Sequence, residues 1–219
     1  VRTPQIGRYN VANGLAAIGL TVFGLGIPVP VVQAAFETAV TVPGRMEGIA
    51  LGQDFLAIVD FAHTPNAIRQ ALHTARELTE GKVIAVFGSA GLRDVEKRKL
   101  MPQIAAPLAD EMFLTAEDPR TESLDEILAD MAEGAERGGG VEGVTFWREP
   151  DRVTAIRRAV ARARAGDLVI TCGKGHEQSM CFGEVEYPWD DRTALTAALA
   201  ERLGVPGPAM PRLPTTPEG

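Results

Sequence analysis

Cysteine is almost missing from this chain: Cys172 and Cys181 are the two in 219 residues. Two thiols give no disulfide framework, and neither has the Cys or His spacing of a zinc site. Both read as buried thiols of a reducing, cytoplasmic compartment. Excess positive charge is missing too. A formal net charge of -7 excludes a general polyanion binder, because neutralising nucleic-acid phosphates takes clustered Lys and Arg. No long uninterrupted apolar run exists. The longest uncharged stretch, Val11 to Phe36, is broken by Gly24, Gly26, Pro28 and Pro30, which predicts two short amphipathic or buried helices joined at a Gly-Pro turn rather than a membrane span. A basic segment followed by a small-residue cleavage site is also lacking, so no signal peptide is read. Internal repeats and a GxxxxGK[ST] phosphate loop are absent. The segment Gly88–Arg93 lacks the third glycine of the dinucleotide fingerprint, which weighs against a redox Rossmann domain.

What is present is ordinary globular material, 45% hydrophobic and 23% charged, enough for one or two domains. A helix is expected over Val31–Ala39, and Val42-Pro-Gly marks a boundary. Beyond it, Phe55–Asp60, Lys82–Gly88, Glu111–Thr115 and Asp167–Thr171 are short apolar runs of the kind that form buried parallel strands, with Val144–Trp147 a weaker fifth. Helical segments lie between and after them: Pro65–Leu78, Asp94–Leu108, Ser123–Glu133, Asp151–Ala165 and Arg192–Leu203. This alternation predicts an α/β fold, a Rossmann-like doubly wound and mostly parallel sheet flanked by helices. The Pro-rich tail from Gly204 is expected to be extended or mobile.

Ligands of such sheets bind beyond the carboxyl ends of the strands, and the chemically dense turns of this sequence fall there. Asp60 and His63 flank the first, where Thr64 and Pro65 also suit a capped helix start. An Asp at that position can accept ribose hydroxyls, and an imidazole can lie against a base. Gly88–Arg93 would let backbone N–H groups approach an anion at a helix start. Arg93 and Arg120 sit on neighbouring turns and can share one carboxylate, or each can pair with a local acid: Asp94 and Glu96 beside one, Glu117, Asp118 and Glu122 beside the other. Gly173–Glu177 packs two glycines, a cation, an imidazole and a carboxylate into one turn, with Glu177 available to an ammonium. No metal site is read, since His176 has only acids near it and His73 falls on a helix surface.

In order, Gly7–Asn13, Val42–Glu47, Val59–Pro65, Arg93-Asp94 with Lys97-Arg98, Asp118–Arg120 and Gly173–Glu177 resemble the Mur ligase family and, within it, the muramoyl-tripeptide synthetases. The resemblance covers nearly all of residues 7 to 191. It implies that residues 1–40 end the central ATPase domain, that 41–204 form the Rossmann-like carboxy-terminal domain, and that 205–219 are a tail. The uridine-nucleotide-binding domain and most of the ATPase domain, with its phosphate loop and Mg2+ ligands, would lie outside this sequence. This stretch alone is then expected to be inactive, whether it is part of a longer chain or a short homologue.

The same resemblance implies ATP-dependent amide formation. ATP phosphorylates UDP-N-acetylmuramoyl-L-alanyl-D-glutamate, and the amine of a diamino acid (lysine, ornithine or meso-diaminopimelate) attacks the acyl phosphate. Such chemistry needs positioning and charge neutralisation more than a protein nucleophile, so no residue is cast as catalytic. Asn10 and Asn13 would face the adenine, Arg45 and Asp60 the ribose, and His63 the nucleotide edge. Arg93, Asp118, Arg120, Gly173 and Glu177 would form the diamino-acid pocket. Neither nucleic acid nor membrane is expected as a partner. One departure stands out: the family's meso-diaminopimelate enzymes typically carry Asp-Asn-Pro-Arg, whereas Glu117–Arg120 reads Glu-Asp-Pro-Arg. An acid in place of the amide would repel a distal carboxylate, which favours lysine or ornithine, although Arg120 argues the other way. The rivals are a noncatalytic nucleotide or amino-acid binding module and a sister ligase such as a folylpolyglutamate synthetase.

Overall fold

The apolar runs become a six-stranded sheet. The computed structural model describes residues 2–3, 5–39 and 41–217; positions 1, 4, 40, 218 and 219, at the ends of the expected 1–40 and 205–219 segments, lie outside the described residues. Strands β1 (Glu47–Gly48), β2 (Leu56–Asp60), β3 (Val83–Phe87), β4 (Glu111–Leu114), β5 (Phe146–Arg148) and β6 (Leu168–Cys172) stand in the order β1-β2-β6-β3-β4-β5. All neighbours are parallel except β1 and β2. The two-residue β1 is too short to leave an apolar signature and was not anticipated.

Alternation along the strands builds two cores, because successive side chains leave opposite faces of a sheet. From β3, Val83, Ala85 and Phe87 join one core, and Ile84 and Val86 join the other. Helices α3 (Pro65–Leu78), α4 (Val95–Ala105) and α5 (Leu124–Arg137) cover the first, and α6 (Arg152–Arg162) and α7 (Asp191–Leu203) cover the second. A fully buried leucine such as Leu72 stabilises the fold by roughly 2 kcal/mol. The chain therefore winds outward from β2 through β3 and β4 to β5 on one face and returns under α6 to insert β6 between β2 and β3.

Local chemistry sets the helix ends. The side chains of Thr64, Asp94, Ser123, Asp151 and Asp190 each accept a backbone N–H from the first turn of the helix that follows, and α7 stops where Gly204 turns left-handed at φ 66°. The expected α3 boundaries match. Helix α5 runs four residues longer than expected, to Arg137, while α4 and α6 each stop three residues early.

Two expectations are corrected. The amino-terminal stretch does form two helices, α1 (Arg8–Gly19), continued by a π-helical turn to Gly24, and α2 (Val29–Glu37), which starts two residues before Val31. Neither is buried. Val32 is the one buried residue of α2, and Phe23 is 89% exposed beside exposed Val11, Leu15, Leu20 and Leu25. Among the described residues no helix is long and apolar enough to cross a membrane. The carboxy-terminal tail is extended but anchored: Leu213 is buried in the second core, and the Thr215 and Thr216 hydroxyls donate to Asp151 at 3.1 and 2.9 Å.

Candidate functional site

At the carboxyl end of β2 a cavity of about 630 Å3 opens between that turn and α1. Asn10, Asn13, Arg45, Asp60 and His63 all line it. Asp60 is its fixed point. The Asp60 carboxylate accepts the Met46 and Ala62 amides, each at 2.8 Å. The first bond holds Met46 at φ 44°, a left-handed conformation costly for a side-chain-bearing residue. Burial lifts the Asp60 pKa above the usual carboxylate range, and the Met46 and Ala62 amides and Arg45 oppose it. Each carboxylate oxygen keeps a second lone pair for a ligand hydroxyl.

Around Asp60 the other side chains are held rather than loose. Arg45 lies over the Phe61 ring at 4.2 Å, within the range of a cation-π contact. Asn13 donates to Asn10 at 3.2 Å, and Asn10 donates to the Ile6 carbonyl at 2.7 Å. His63 Nδ1 is 2.8 Å from the Phe61 carbonyl. A carbonyl only accepts, so Nδ1 donates in this bond and Nε2 is left for other partners. Tyr9 also lines the cavity, its pKa pushed up to about 12 by burial and then by the Asp60 charge, so the phenol stays protonated.

A second site forms where the turns after β3, β4 and β6 meet. Gly91 N–H donates to the Asp118 carbonyl at 2.9 Å, placing the Gly88–Asp94 turn against Asp118–Arg120. A β-carbon on Gly91 would lie 2.0 Å from the Pro119 oxygen, so only glycine permits this approach. Arg120, at φ 56°, is pinned by backbone bonds to Cys181 and Gly183 on the hairpin β7 (Ser179–Phe182) and β8 (Val185–Pro188). Its Nε is buried without a hydrogen-bond partner among the described residues. Arg93 is exposed on the adjoining turn. Neither arginine forms an ion pair among the described residues, so the local-acid alternative is not what the fold adopts; Glu122 pairs with Arg98 instead.

The acids of this pocket have company that the sequence did not reveal. Lys174, 1% exposed, donates to both Asp118 oxygens at 3.0 Å and to Glu177 at 2.7 Å. Asp118 also accepts the Cys181 amide at 2.9 Å. Burial works against the Lys174 ammonium, but the Glu177 and Asp118 carboxylates outweigh it and hold its pKa above the ordinary lysine value. Asp118 is therefore an internal counterion, and the repulsion expected from its replacement of an amide is cancelled within the chain. Glu177 is half-engaged, with 40% of its side chain exposed.

Glu117 was read only as a local partner for Arg120. It is buried, with Oε2 unpartnered among the described residues, and burial lifts its pKa to about 7 against the pull of Arg152, Lys97 and Lys174. Gly173, at φ 108°, leaves no room for a side chain, since a β-carbon there would come within 2.2 Å of that oxygen. The two sites touch. A β-carbon on Gly44 would lie 2.2 Å from the Gly175 carbonyl carbon, and Phe61 packs 4.9 Å from the His176 ring.

The family model for the glutamate ligase domain of Mur ligases matches residues 44–175. The chain belongs to the Mur ligase family. It is 47% identical over 201 residues to the UDP-N-acetylmuramyl-tripeptide synthetase of Roseiflexus sp. (strain RS-1), an alignment covering 92% of this chain and 39% of that relative. It is 43% identical over 203 residues to the UDP-N-acetylmuramoyl-L-alanyl-D-glutamate--2,6-diaminopimelate ligase of Synechococcus elongatus, again 92% of this chain and 39% of the relative. A solved structure of a ligase with that same name superposes with a TM-score of 0.69 at 34% identity, covering 93% of this chain and 40% of the solved one. The Mur ligase sequence here thus spans about two fifths of the length of these relatives. Within its family frame, Lys174 and the buried state of Glu117 were missed because both depend on turns far apart in sequence; Phe61 lay inside a motif but carried no charge to mark it.

Proposed function

We propose that this chain is the carboxy-terminal part of an ATP-dependent ligase of peptidoglycan synthesis, which joins a diamino acid to UDP-N-acetylmuramoyl-L-alanyl-D-glutamate. The observation that carries this reading is the convergence of five motif residues from three separated segments on one cavity, next to a second pocket of opposite charges. The names of the most similar relatives support it. Residues 1–40 would close the preceding ATPase domain, whose surface would cover the exposed apolar side chains of α1 and α2. Residues 41–204 would be the swinging terminal domain. A phosphate loop and Mg2+ ligands belong to the part outside this sequence, so this stretch alone should not turn over.

In this reading Asp60 and Arg45 hold the ribose, and Asn10, Asn13 and His63 Nε2 meet the adenine. A carboxylate oxygen of the dipeptide bonds to the γ-phosphorus as the bridging P–O bond breaks and ADP leaves. The acceptor nitrogen then attacks the acyl carbon, phosphate departs with the electron pair of the C–O bond, and the amine proton is released to solvent. Arg93 and Arg120 take acceptor carboxylates, while Glu177 faces its distal ammonium. Since Lys174 already neutralises Asp118 and Arg120 lacks an ion-pair partner among the described residues, the charge balance favours meso-diaminopimelate over lysine or ornithine. This reverses the leaning drawn from the Glu-Asp-Pro-Arg sequence.

The test is acceptor-dependent phosphate release by the full-length parent with ATP, the UDP-muramoyl dipeptide and each of the three acceptors. Turnover with meso-diaminopimelate alone is expected. Turnover with lysine or ornithine instead would overturn the charge argument, and none with any acceptor would favour a noncatalytic binding module.

A further inference from the structure

The paired cations of α4 have separate fates. Arg98 is buried and satisfied by Glu122 and Asp130, which makes it a structural residue. Lys97, one residue earlier and half-buried, has no carboxylate partner among the described residues. Its ammonium donates once, to the His63 carbonyl at 3.2 Å, and two of its three N–H donors remain for other acceptors. In the first turn of a helix a cation is also opposed by the helix dipole, so helix stability gives no reason for it. Its surroundings do. On one side stands His63 of the nucleotide cavity. On the other is Glu117, whose carboxylate feels the Lys97 charge and borders Gly173 of the acceptor pocket.

We infer that Lys97 is a catalytic residue of the amide-forming reaction, holding the oxygens of the acyl phosphate. This rests on the ligase reading above. Of the species in that reaction, the acyl phosphate is the one made at the nucleotide and consumed at the acceptor, so it must occupy the border between the two sites. An unpaired ammonium fixed at that border by a neutral carbonyl neutralises the charge that gathers on the phosphoryl oxygens as the bridging bond breaks. It also stabilises the phosphate as it leaves. Fixed charges of this kind are most effective where water is excluded.

The experiment uses the full-length parent with ATP, the UDP-muramoyl dipeptide and its amino-acid acceptor. Lys97→Met is expected to lower kcat roughly 100-fold, the usual scale for losing one such stabilising donor. Michaelis constants for ATP and amino acid should stay within roughly threefold, the mark of an interaction made in the transition state. Lys97→Arg, which keeps the charge, should retain at least about a tenth of kcat, and hydroxylamine trapping of the acyl phosphate without amino acid should fall in the Met variant alone. An unchanged kcat overturns the inference. A rise confined to the Michaelis constant for the amino acid also overturns it, making Lys97 an acceptor anchor. Equal losses in both variants with a lowered melting temperature would make it a structural residue. If the wild-type parent releases no phosphate with any acceptor, the ligase reading itself fails, whatever Lys97 does.

Discussion

The two halves of the candidate site are built differently. In the cavity proposed for the nucleotide the side chains hang from backbone amides and carbonyls: Asp60 on Met46 and Ala62, His63 on Phe61, Asn10 on Ile6. In the pocket proposed for the acceptor, charges hold one another: Lys174 sits between Asp118 and Glu177, while Arg120 and Glu117 keep buried atoms without partners among the described residues. Backbone-held groups can be organised before any ligand arrives, since their partners are part of the fold. A pocket of mutually compensating charges depends on every member. Removing one leaves an uncompensated ion in a poorly solvated place, which costs far more than the pair contributes.

Lys174→Met should break that comparison most severely. With Asp118 left against the hairpin without its cation, the chain is expected to lose roughly 3 kcal/mol of stability, read as a lower urea midpoint at unchanged slope. A loss under about 0.5 kcal/mol would show that water satisfies Asp118 and that no clasp exists.

Glu117→Gln tests the buried acid through pH. The folded pKa of about 7 lies above the ordinary 4.5, so stability that is full below about pH 4.5 is lost as the pH rises through 7. Removing the titration should therefore stabilise the chain at pH 8 relative to pH 5, by an amount on the order of 3 kcal/mol. Parallel pH profiles of melting temperature for both proteins would mean that Glu117 is hydrated or paired.

In the full-length enzyme, Arg120→Ala should raise the Michaelis constant for the amino acid roughly tenfold and leave that for ATP alone, as loss of a charge-assisted bond of about 1.5 kcal/mol implies. Asp60→Ala is expected to act on ATP by a similar factor and spare the amino acid. Equal effects on both substrates in either variant would dissolve the division into two sites.

Much of the scaffold was legible because it rests on local rules. The 14 residues of α3 begin at a Thr-Pro cap and end where anticipated, and the four buried strands β2, β3, β4 and β6 follow runs whose apolar character is plain in the sequence. That Asn10, Asn13, Arg45, Asp60 and His63 line one cavity follows from a related rule. Each lies in a short motif beside a strand end or in α1, and α/β sheets place such ends together. In the second pocket the charge pairing was not legible. Asp118 looked like a repelling acid because its counterion is 56 residues away. Glu117 looked like a surface partner because nothing in sequence shows that Gly88 and Gly173 close over it. The exposure of α1 and α2 was missed because apolar composition reports what a segment prefers to bury and leaves the partner unnamed.

By itself the sequence determined the alternation of strands and helices, the caps that start the helices and the turns that carry charge, since these depend on neighbours within a few residues. The tertiary structure decided which charges cancel. It set Lys174 between two acids, freed Arg120 and Lys97 from ion pairs among the described residues, and buried Glu117, because Coulomb interactions and desolvation depend on distances in space that chain separation does not encode.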